Sequence, residues 1–334
     1  MLTLGIETSC DDTSCAVLKD GDKLLSNIVS SQDQIHTRFG GIVPELAGRA
    51  HVECIHHVIQ LALEEAGTNL AEIDLIAVTV GPGLIGSLLV GLNVAKGIGY
   101  ALNKPVVGVN HLEGHILAIF LQQEIEFPFL ALTVSGGHTD ICRVEWIGRY
   151  QILGRTRDDA AGESFDKVAK MLGKGYPGGP IIEKMATRGD VRSHRFPRAY
   201  LDNSDFSFSG LKTAVRTVLK KRDNGHGPIL SDSDIAACFQ DAVVEVLTDK
   251  LMFAAEKESI DRIVVTGGVA ANSYLRNRVE SAAQKRGIRS WFPAPRFCTD
   301  NAAMIACAGY YRYIDNGQTL NDFIHLDASA NLSL

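Results

Sequence analysis

Leu4 to Leu18 reads LGIETSCDDTSCAVL, and 126 residues further on Leu130 to Val144 reads LALTVSGGHTDICRV. Each is an apolar run, a small polar turn (SCDDT in one, SGGHT in the other) and a second apolar run. That pattern predicts a β-hairpin whose turn carries hydroxyls, backbone N–H groups and ionisable side chains. Meeting the same unit twice at this distance implies a duplicated lobe, because solenoid repeats recur every ~20–50 residues. A third apolar run, Arg262 to Thr266 (RIVVT), ends in GGVAAN, and a helical pattern follows from Ser273 to basic residues and Gly287. A strand, a Gly-Gly pair and a helix N-terminus make a seat for a phosphate or nucleotide. Helical patterns run over 44–66, 85–101, 235–258 and 301–314. Strands alternating with helices specify an α/β architecture. Residues 146–230 are glycine-rich, partly basic and weakly periodic, and read as an insertion that carries function.

The 334 residues suggest about two domains or lobes at roughly 150 residues each. With 46% hydrophobic and 22% charged residues the chain can bury a large core, which excludes disorder, collagen and coiled coil as descriptions of the whole. The 32 glycines fall in clusters, as tight turns approaching ligands require. The net charge of −6 excludes a generic polyanion binder, so a nucleic-acid site must be a local patch. Arg188 to Arg222 is that patch: nine Lys/Arg (188, 192, 195, 198, 212, 216, 220, 221, 222) against Asp190, Asp202 and Asp205. Phe196, Tyr200, Phe206 and Phe208 are interleaved with it, and the segment reads either as a solvated basic face or as a site for a polyphosphate such as RNA. Seven cysteines, an odd number without a CxxC pair, argue against a disulfide framework. The chain opens at once on a strand-like run, LTLGIE, and a cytoplasmic location is expected. Residues 75–95 lack charge over a length that could span a bilayer, but Gly81, Pro82, Gly83, Gly86 and Gly91 break them into a strand, a turn and a buried helix. Neither a membrane nor DNA is expected as a partner.

His111 and His115, in HLEGH, lie at i and i+4 on one helical face and suit a divalent transition metal. A zincin protease needs Glu directly after the first His. Leu112 holds that place and Glu113 points elsewhere on the helix, so the metalloprotease reading is disfavoured. Cys298-Thr299-Asp300-Asn301, just before an apolar helix, either caps that helix or supplies a third ligand. A carboxylate beside two imidazoles would make a site for Fe, Zn or Mn with open positions. Asp11 and Asp12 form an Asx turn or face a bound phosphate, where a carboxylate could accept a proton. The Ser135-Gly136-Gly137-His138 turn offers N–H groups to an anion, and Tyr176-Pro-Gly-Gly-Pro180 shapes a loop or pocket wall.

Lys96-Gly97 through Leu102-Asn103, Pro105, His111, Gly114 and His115 resembles the signature once labelled glycoprotease. IETSCDDTS (6–14), GGIVPELAGRAH (40–51), VGPGLIGSL (80–88) and TVSGGHT (133–139) are similar to the same family. So are AAGESFDKVAKMLG (160–173), YPGGP (176–180), DFSFSGLKTAV (205–215), GGVAAN (267–272) and CTDNAAMIA (298–306). On these motifs, which run along almost the whole chain, the protein is identified as a member of the tRNA threonylcarbamoyladenosine transferase family, called TsaD in bacteria and formerly Gcp.

The resemblance implies an actin-like (sugar kinase and Hsp70) fold with two lobes, each on a five-stranded sheet, and a central cleft. The first lobe would span 1–110, completed by 310–334, and the second 111–309 with the insertion at about 146–230. The implied reaction is metal-dependent transfer of the threonylcarbamoyl group of threonylcarbamoyl-AMP to the exocyclic amine of the adenine after the anticodon. The acceptors would be tRNAs reading codons that begin with A. By position, His111, His115 and Asp300 would hold one divalent ion per subunit, iron(II) first and zinc as the alternative. Thr133, Val134, Ser135, Gly136, Gly137, Asp166, Gly179, Glu183 and Asn272 match the family's substrate-binding positions. Asp11 would accept a proton or orient the amine. Asp12 stands where many members carry Glu, one methylene longer, so it would act directly or through a water. Implied partners are TsaB, a smaller paralogue of the same fold, and the P-loop ATPase TsaE; the helical surface over 44–66 reads either as a docking face for them or as a core-facing amphipathic helix. The competing readings are an ATPase of this fold and a nucleotide-gated tRNA scaffold.

Overall fold

The computed structural model describes residues 1–201, 203–226, 230–316 and 322–334. The chain divides into two units: residues 1–126, 146–150 and 296–334 form the first, and 127–145 with 151–295 the second.

The first unit opens with the quoted hairpin. β1 (Leu2–Glu7) and β2 (Asp12–Lys19) pair antiparallel, Ile6 opposite Cys15, and β3 (Lys23–Ser31) continues the meander. A short helix, α1 (Asp33–His36), leads to α2 (Pro44–Ala66), which starts on Pro44 and stops at Gly67 in the left-handed region. β4 (Leu75–Gly81), α3 (Ile85–Leu102), β5 (Val106–Asn110) and α4 (His111–Leu117) follow. β4 pairs parallel with β1 and β5 with β4, giving the order β3-β2-β1-β4-β5. β4 is buried along its whole length, as a central parallel strand covered on both faces must be. Leu4, Ile6, Val17, Ile55, Ile59, Val78 and Leu92 form the core between the sheet and α2–α3. α3 is the one described helix long and apolar enough to cross a bilayer; here its Leu88, Gly91, Leu92 and Ala95 are buried in that core.

The second unit repeats the plan. β6 (Phe129–Val134) and β7 (Thr139–Trp146) pair antiparallel, and β8 (Arg149–Arg155) lies beside β7. The helices α5 (Ala161–Met171), α6 (Gly178–Ala186), α7 (Ser209–Asp223) and α8 (Asp232–Glu258) come next. β9 (Arg262–Thr266) then pairs parallel with β6, and β10 (Arg289–Trp291) with β9 after α9 (Ser273–Gln284). The order β10-β9-β6-β7-β8 is that of the first sheet in mirror listing, so the duplication read from the two hairpins extends to all five strands. α10 (Pro295–Cys298) returns the chain to the first unit, where α11 (Ala302–Asn316) packs across β1, β2 and β4.

The expected boundaries move. Residues 111–126 stay with the first unit because α4 packs on α11, and the second unit ends at 295 because α11 covers β1 and β4. Gly5 enforces that cover: a Cβ there would lie 2.3 Å from the Ala302 carbonyl oxygen. The segment 146–230 is no simple insertion, since β8 is the edge strand of the second sheet. Its RYQILGR sequence leaves the strand half-exposed, so it carries no apolar run to mark it. Part of the expected C-terminal completion, 317–321, lies outside the described residues.

Candidate metal centre and nucleotide seat

β5 runs straight into α4, whose start is fixed by Asn110: its side chain accepts a hydrogen bond from the Leu112 amide at 2.9 Å. That cap puts His111 and His115 one helical turn apart, both buried, with ring centroids 4.7 Å apart. Asp300 arrives from the far end of the chain. Its Oδ1 stands 3.2 Å from His115 Nε2 and 3.5 Å from His111 Nε2. One donor atom from each residue fits within 4.8 Å of the others, as a single divalent ion requires. The donor set, two imidazoles and a carboxylate, leaves coordination positions open, and it suits iron and zinc alike.

Glu7, at the end of β1, supports this centre and was not singled out from the sequence. Its Oε2 lies 3.0 Å from His111 Nδ1 and accepts from Thr79 Oγ1 at 2.6 Å, while Oε1 accepts from the Ser9 amide at 2.5 Å. Holding Nδ1 leaves Nε2 of His111 for the ion, the usual carboxylate–histidine–metal arrangement. The signal was a charged residue closing an apolar strand one step before a polar turn. Burial alone would lower the His111 imidazole, but Asp300 and Glu7 outweigh it and raise it well above its usual range. Burial would raise Asp300, yet His111 and then His115 hold its carboxyl well below the ordinary carboxylate range. A cationic centre is thus favoured between the two carboxylates. Glu7→Gln keeps the hydrogen-bond geometry and removes the charge, and should weaken zinc binding by about 10–100-fold in a chelator competition. Unchanged affinity would reduce Glu7 to a packing role.

Asp12 opens β2, and Asp11 precedes it in the turn. Burial, then Asp300 and Asp11, push the Asp12 carboxyl up to about 7, and burial with Asp300 raises Asp11 as well. Glu113 is fully engaged away from any substrate: it accepts from the Tyr150 hydroxyl at 2.8 Å and from Arg312 at 3.0 Å. It therefore supplies no base for peptide hydrolysis.

The residues expected to bind substrate lie in the second unit. The turn after Thr133 and Val134 closes on itself, the Ser135 amide donating to the His138 carbonyl (2.8 Å) and the His138 amide to Ser135 Oγ (3.1 Å). Gly136 and Gly137 have open space where a side chain would stand, so their backbone is accessible to an anion. Asp166 Oδ1 accepts from the Gly178 amide at 2.7 Å, tying α5 to the start of α6 beside Gly179. One turn along α6, Glu183 Oε1 accepts from the Ser273 amide (2.8 Å) and hydroxyl (2.6 Å). Asn272 is nearly buried and committed at both ends: Oδ1 caps α9 through the Leu275 amide at 3.0 Å, and Nδ2 donates to Gln240 Oε1 at 2.9 Å. A cavity of about 440 Å³ lies here, lined among others by Glu183, Ser273, Tyr274, Asn277 and Gln240. Asn272 thereby fixes the N-terminus of α9.

The basic segment is less free than its sequence suggests. Arg198 is partly buried and pairs with Asp241 (2.5 Å) and Glu245 (3.1 Å), Arg222 pairs with Asp232 at 2.8 Å, and Lys212 pairs with Asp159. Phe196, Phe206 and Phe208 are core residues, so the aromatic interleaving is packing; Tyr200 is half-exposed and its hydroxyl donates to Asp249. Asp202 lies outside the described residues. Arg188, Arg195, Arg216, Lys220 and Lys221 make no ion pair among the described residues. Arg198→Glu should therefore cost about 1–3 kcal/mol of stability by leaving two partly buried carboxylates unpaired. Arg195→Glu should leave the melting temperature unchanged and lower the salt slope of tRNA affinity by about one unit. An Arg195→Glu slope equal to that of the parent protein would take this patch out of the RNA interface.

A family model described as TsaD, tRNA N6-adenosine threonylcarbamoyltransferase, matches residues 23–307. A protein of Thermodesulfovibrio yellowstonii given that enzyme name is 57% identical over 318 residues, covering 94% of this chain and 95% of its own. One of Clostridium perfringens strain SM101 with the same name is 51% identical over 336 residues, covering 100% and 98%. Among solved structures, HypF of T. kodakarensis superposes with a TM-score of 0.64 at 13% identity, over 97% of this chain and 49% of that one. Component A of the Acidaminococcus fermentans (R)-2-hydroxyglutaryl-CoA dehydratase gives 0.56 at 17% identity, over 94% and 99%. These two share the fold: an actin-like α/β architecture with a five-stranded mixed sheet in each unit.

Proposed function

The chain belongs to the tRNA N6-adenosine threonylcarbamoyltransferase family, and from that premise we infer how its own residues carry a threonylcarbamoyl group to N6 of a tRNA adenosine. The protein is a transferase. The donor is threonylcarbamoyl-AMP, a mixed anhydride with an activated carbonyl, which an adenine amine needs because its lone pair is delocalised into the ring. In the transfer, N6 attacks the carbamoyl carbon, the carbon–oxygen bond to phosphate breaks, AMP leaves, and N6 gives up one proton. The acceptor is the adenosine after the anticodon in tRNAs reading codons that begin with A.

The observation that carries this reading is the His111–His115–Asp300 cluster with its Glu7 support, beside a Glu113 that is already spent on Tyr150 and Arg312. The cluster suits iron(II), with zinc the alternative, and the ion when bound supplies Lewis-acid stabilisation of charge on the donor. The open Ser135–Gly137 backbone takes the phosphate or carbamoyl end of the donor, and the cavity at Glu183 and the α9 N-terminus takes its adenosine. Asp11, its carboxyl raised by burial and Asp300, is suited to receive the N6 proton. Asp12 stands behind it.

TsaB and TsaE are the proposed partners. The outer face of α2 and α3 fits a protein of similar fold: Val52 is 62% exposed, Ile85 48% and Leu89 40%. A cytoplasmic location is proposed, in keeping with a tRNA substrate. The reading is tested by mixing the protein and its partners with threonylcarbamoyl-AMP and unmodified tRNA, then weighing the digested nucleosides. Threonylcarbamoyladenosine from the acyl-adenylate, and none when ATP alone replaces it in the absence of a synthase, is the expected result. ATP hydrolysis with no modified nucleoside would favour the ATPase reading instead.

A further inference from the structure

Behind the Thr8–Asp11 turn lies a buried polar chain that the transfer chemistry does not use. His51, on α2, is fully buried. Its Nε2 is 3.0 Å from the Cys10 carbonyl oxygen, and its Nδ1 is 2.7 Å from Thr13 Oγ1 and 3.5 Å from Gln32 Nε2. A carbonyl can only accept, so Nε2 carries the proton and Nδ1 accepts from the Thr13 hydroxyl. Thr13 Oγ1 in turn accepts from Cys54 Sγ at 3.1 Å. Burial pushes the His51 imidazole down, in keeping with the neutral form these partners require.

Gln32 adds a second tie. Its backbone amide donates to the Asp11 carbonyl at 3.1 Å, its side-chain amide reaches the Ala47 carbonyl of α2 at 3.4 Å, and its Oε1 lies 3.1 Å from His36 Nε2. His36 Nδ1 accepts from the Val43 amide at 3.3 Å, just before α2 begins. Two successive carbonyls of the turn, those of Cys10 and Asp11, are thus fastened to α2 and to the end of β3. The other end of the same turn meets the metal ligands, since Ser9 Oγ is 3.1 Å from His111 Nδ1.

We propose that His51 is a positioning residue for the transfer: by holding the Cys10 carbonyl it sets where the Asp11 carboxyl stands relative to His111. This rests on the transferase reading above. α2 carries His51 on its buried face and Val52 on its exposed one, so a protein seated on α2 bears on the helix that holds the turn. Shifts of about 1 Å at a reacting group cost up to roughly a hundredfold in rate, whereas the donor seat in the second unit is untouched.

The test compares parent, His51→Ala and His51→Gln, each with its partners. Gln places an N–H donor near the Nε2 position and restores the bond to Cys10; Ala cannot. The expected result is kcat lowered about 10–100-fold in His51→Ala with KM for threonylcarbamoyl-AMP within about twofold, and kcat within about threefold of the parent in His51→Gln. Equal kcat in the folded fractions of all three, or Ala and Gln impaired alike, would overturn the proposal. Amide hydrogen exchange over residues 8–12 supplies a readout free of activity. Protection there should fall at least about tenfold in His51→Ala and persist in His51→Gln, and no difference between them would also overturn it. A parent protein that makes no product would instead sink the transferase reading, and the exchange measurement would still decide the fastening role.

Discussion

Asp300→Ala should leave a folded protein that no longer retains its divalent ion and transfers the threonylcarbamoyl group at least about a thousandfold more slowly. The size follows from the several kcal/mol of charge stabilisation that a Lewis-acid ion provides, each ~1.4 kcal/mol being tenfold in rate. Asp300 is the one carboxylate in the donor set, and its Oδ1 lies within 3.5 Å of Nε2 on both histidines. Removing it leaves two neutral donors and no anion within the donor set, with only Glu7 behind His111 to offset the charge of the ion. The measurements are metal content by elemental analysis and product formed in a single turnover with saturating donor. A metal-free variant with an undiminished rate would make the ion structural and move the chemistry elsewhere.

Gly267→Ala should be nearly as damaging by a different route. Gly267 ends β9 with φ at +90°, and a Cβ there would sit 2.5 Å from the Val134 carbonyl oxygen. Left-handed strain and the overlap together cost about 2–5 kcal/mol. At roughly 2–4 °C per kcal/mol for a unit of this size, the melting temperature of the second unit should fall by about 4–20 °C. Val134 leads into the Ser135–Gly137 turn, so any relief by moving β6 displaces the backbone proposed to hold the donor. KM for threonylcarbamoyl-AMP should rise at least about tenfold while zinc affinity, set in the other unit, stays at the parent value. Parent values of both melting temperature and KM would show that the two strand ends tolerate separation.

The sequence made some of this visible and hid the rest for reasons that lie in how each residue earns its place. The paired hairpins were legible because alternation and turn chemistry are local, and so were α2, α3, α8, α9 and α11, whose apolar periodicity is long. HLEGH was legible because an i, i+4 pair shares a helix face in any context. Glu7 was not: its importance comes from Thr79 and His111, 72 and 104 residues away, and no local pattern announces such partners. β8 escaped for the opposite reason, as an edge strand with little apolar content. The basic run at 188–222 was only partly legible because charge counts ignore pairing. Asp241 and Glu245 pair with Arg198 from α8, and Phe196, Phe206 and Phe208 turn inward.

The return of the chain to the first unit also sets an order of events during synthesis. Asp300 follows His115 by 185 residues, and α11, which covers β1 and β4, comes later still. At about 5–20 residues per second, a ribosome needs roughly 10–40 s between exposing the two histidines and delivering the carboxylate. Through that interval the nascent first unit has a sheet with one bare face and an incomplete set of ligands. Metal uptake is therefore confined to polypeptide extended past Asp300, and a chain released before that point by a stalled ribosome would carry both histidines without acquiring a working centre.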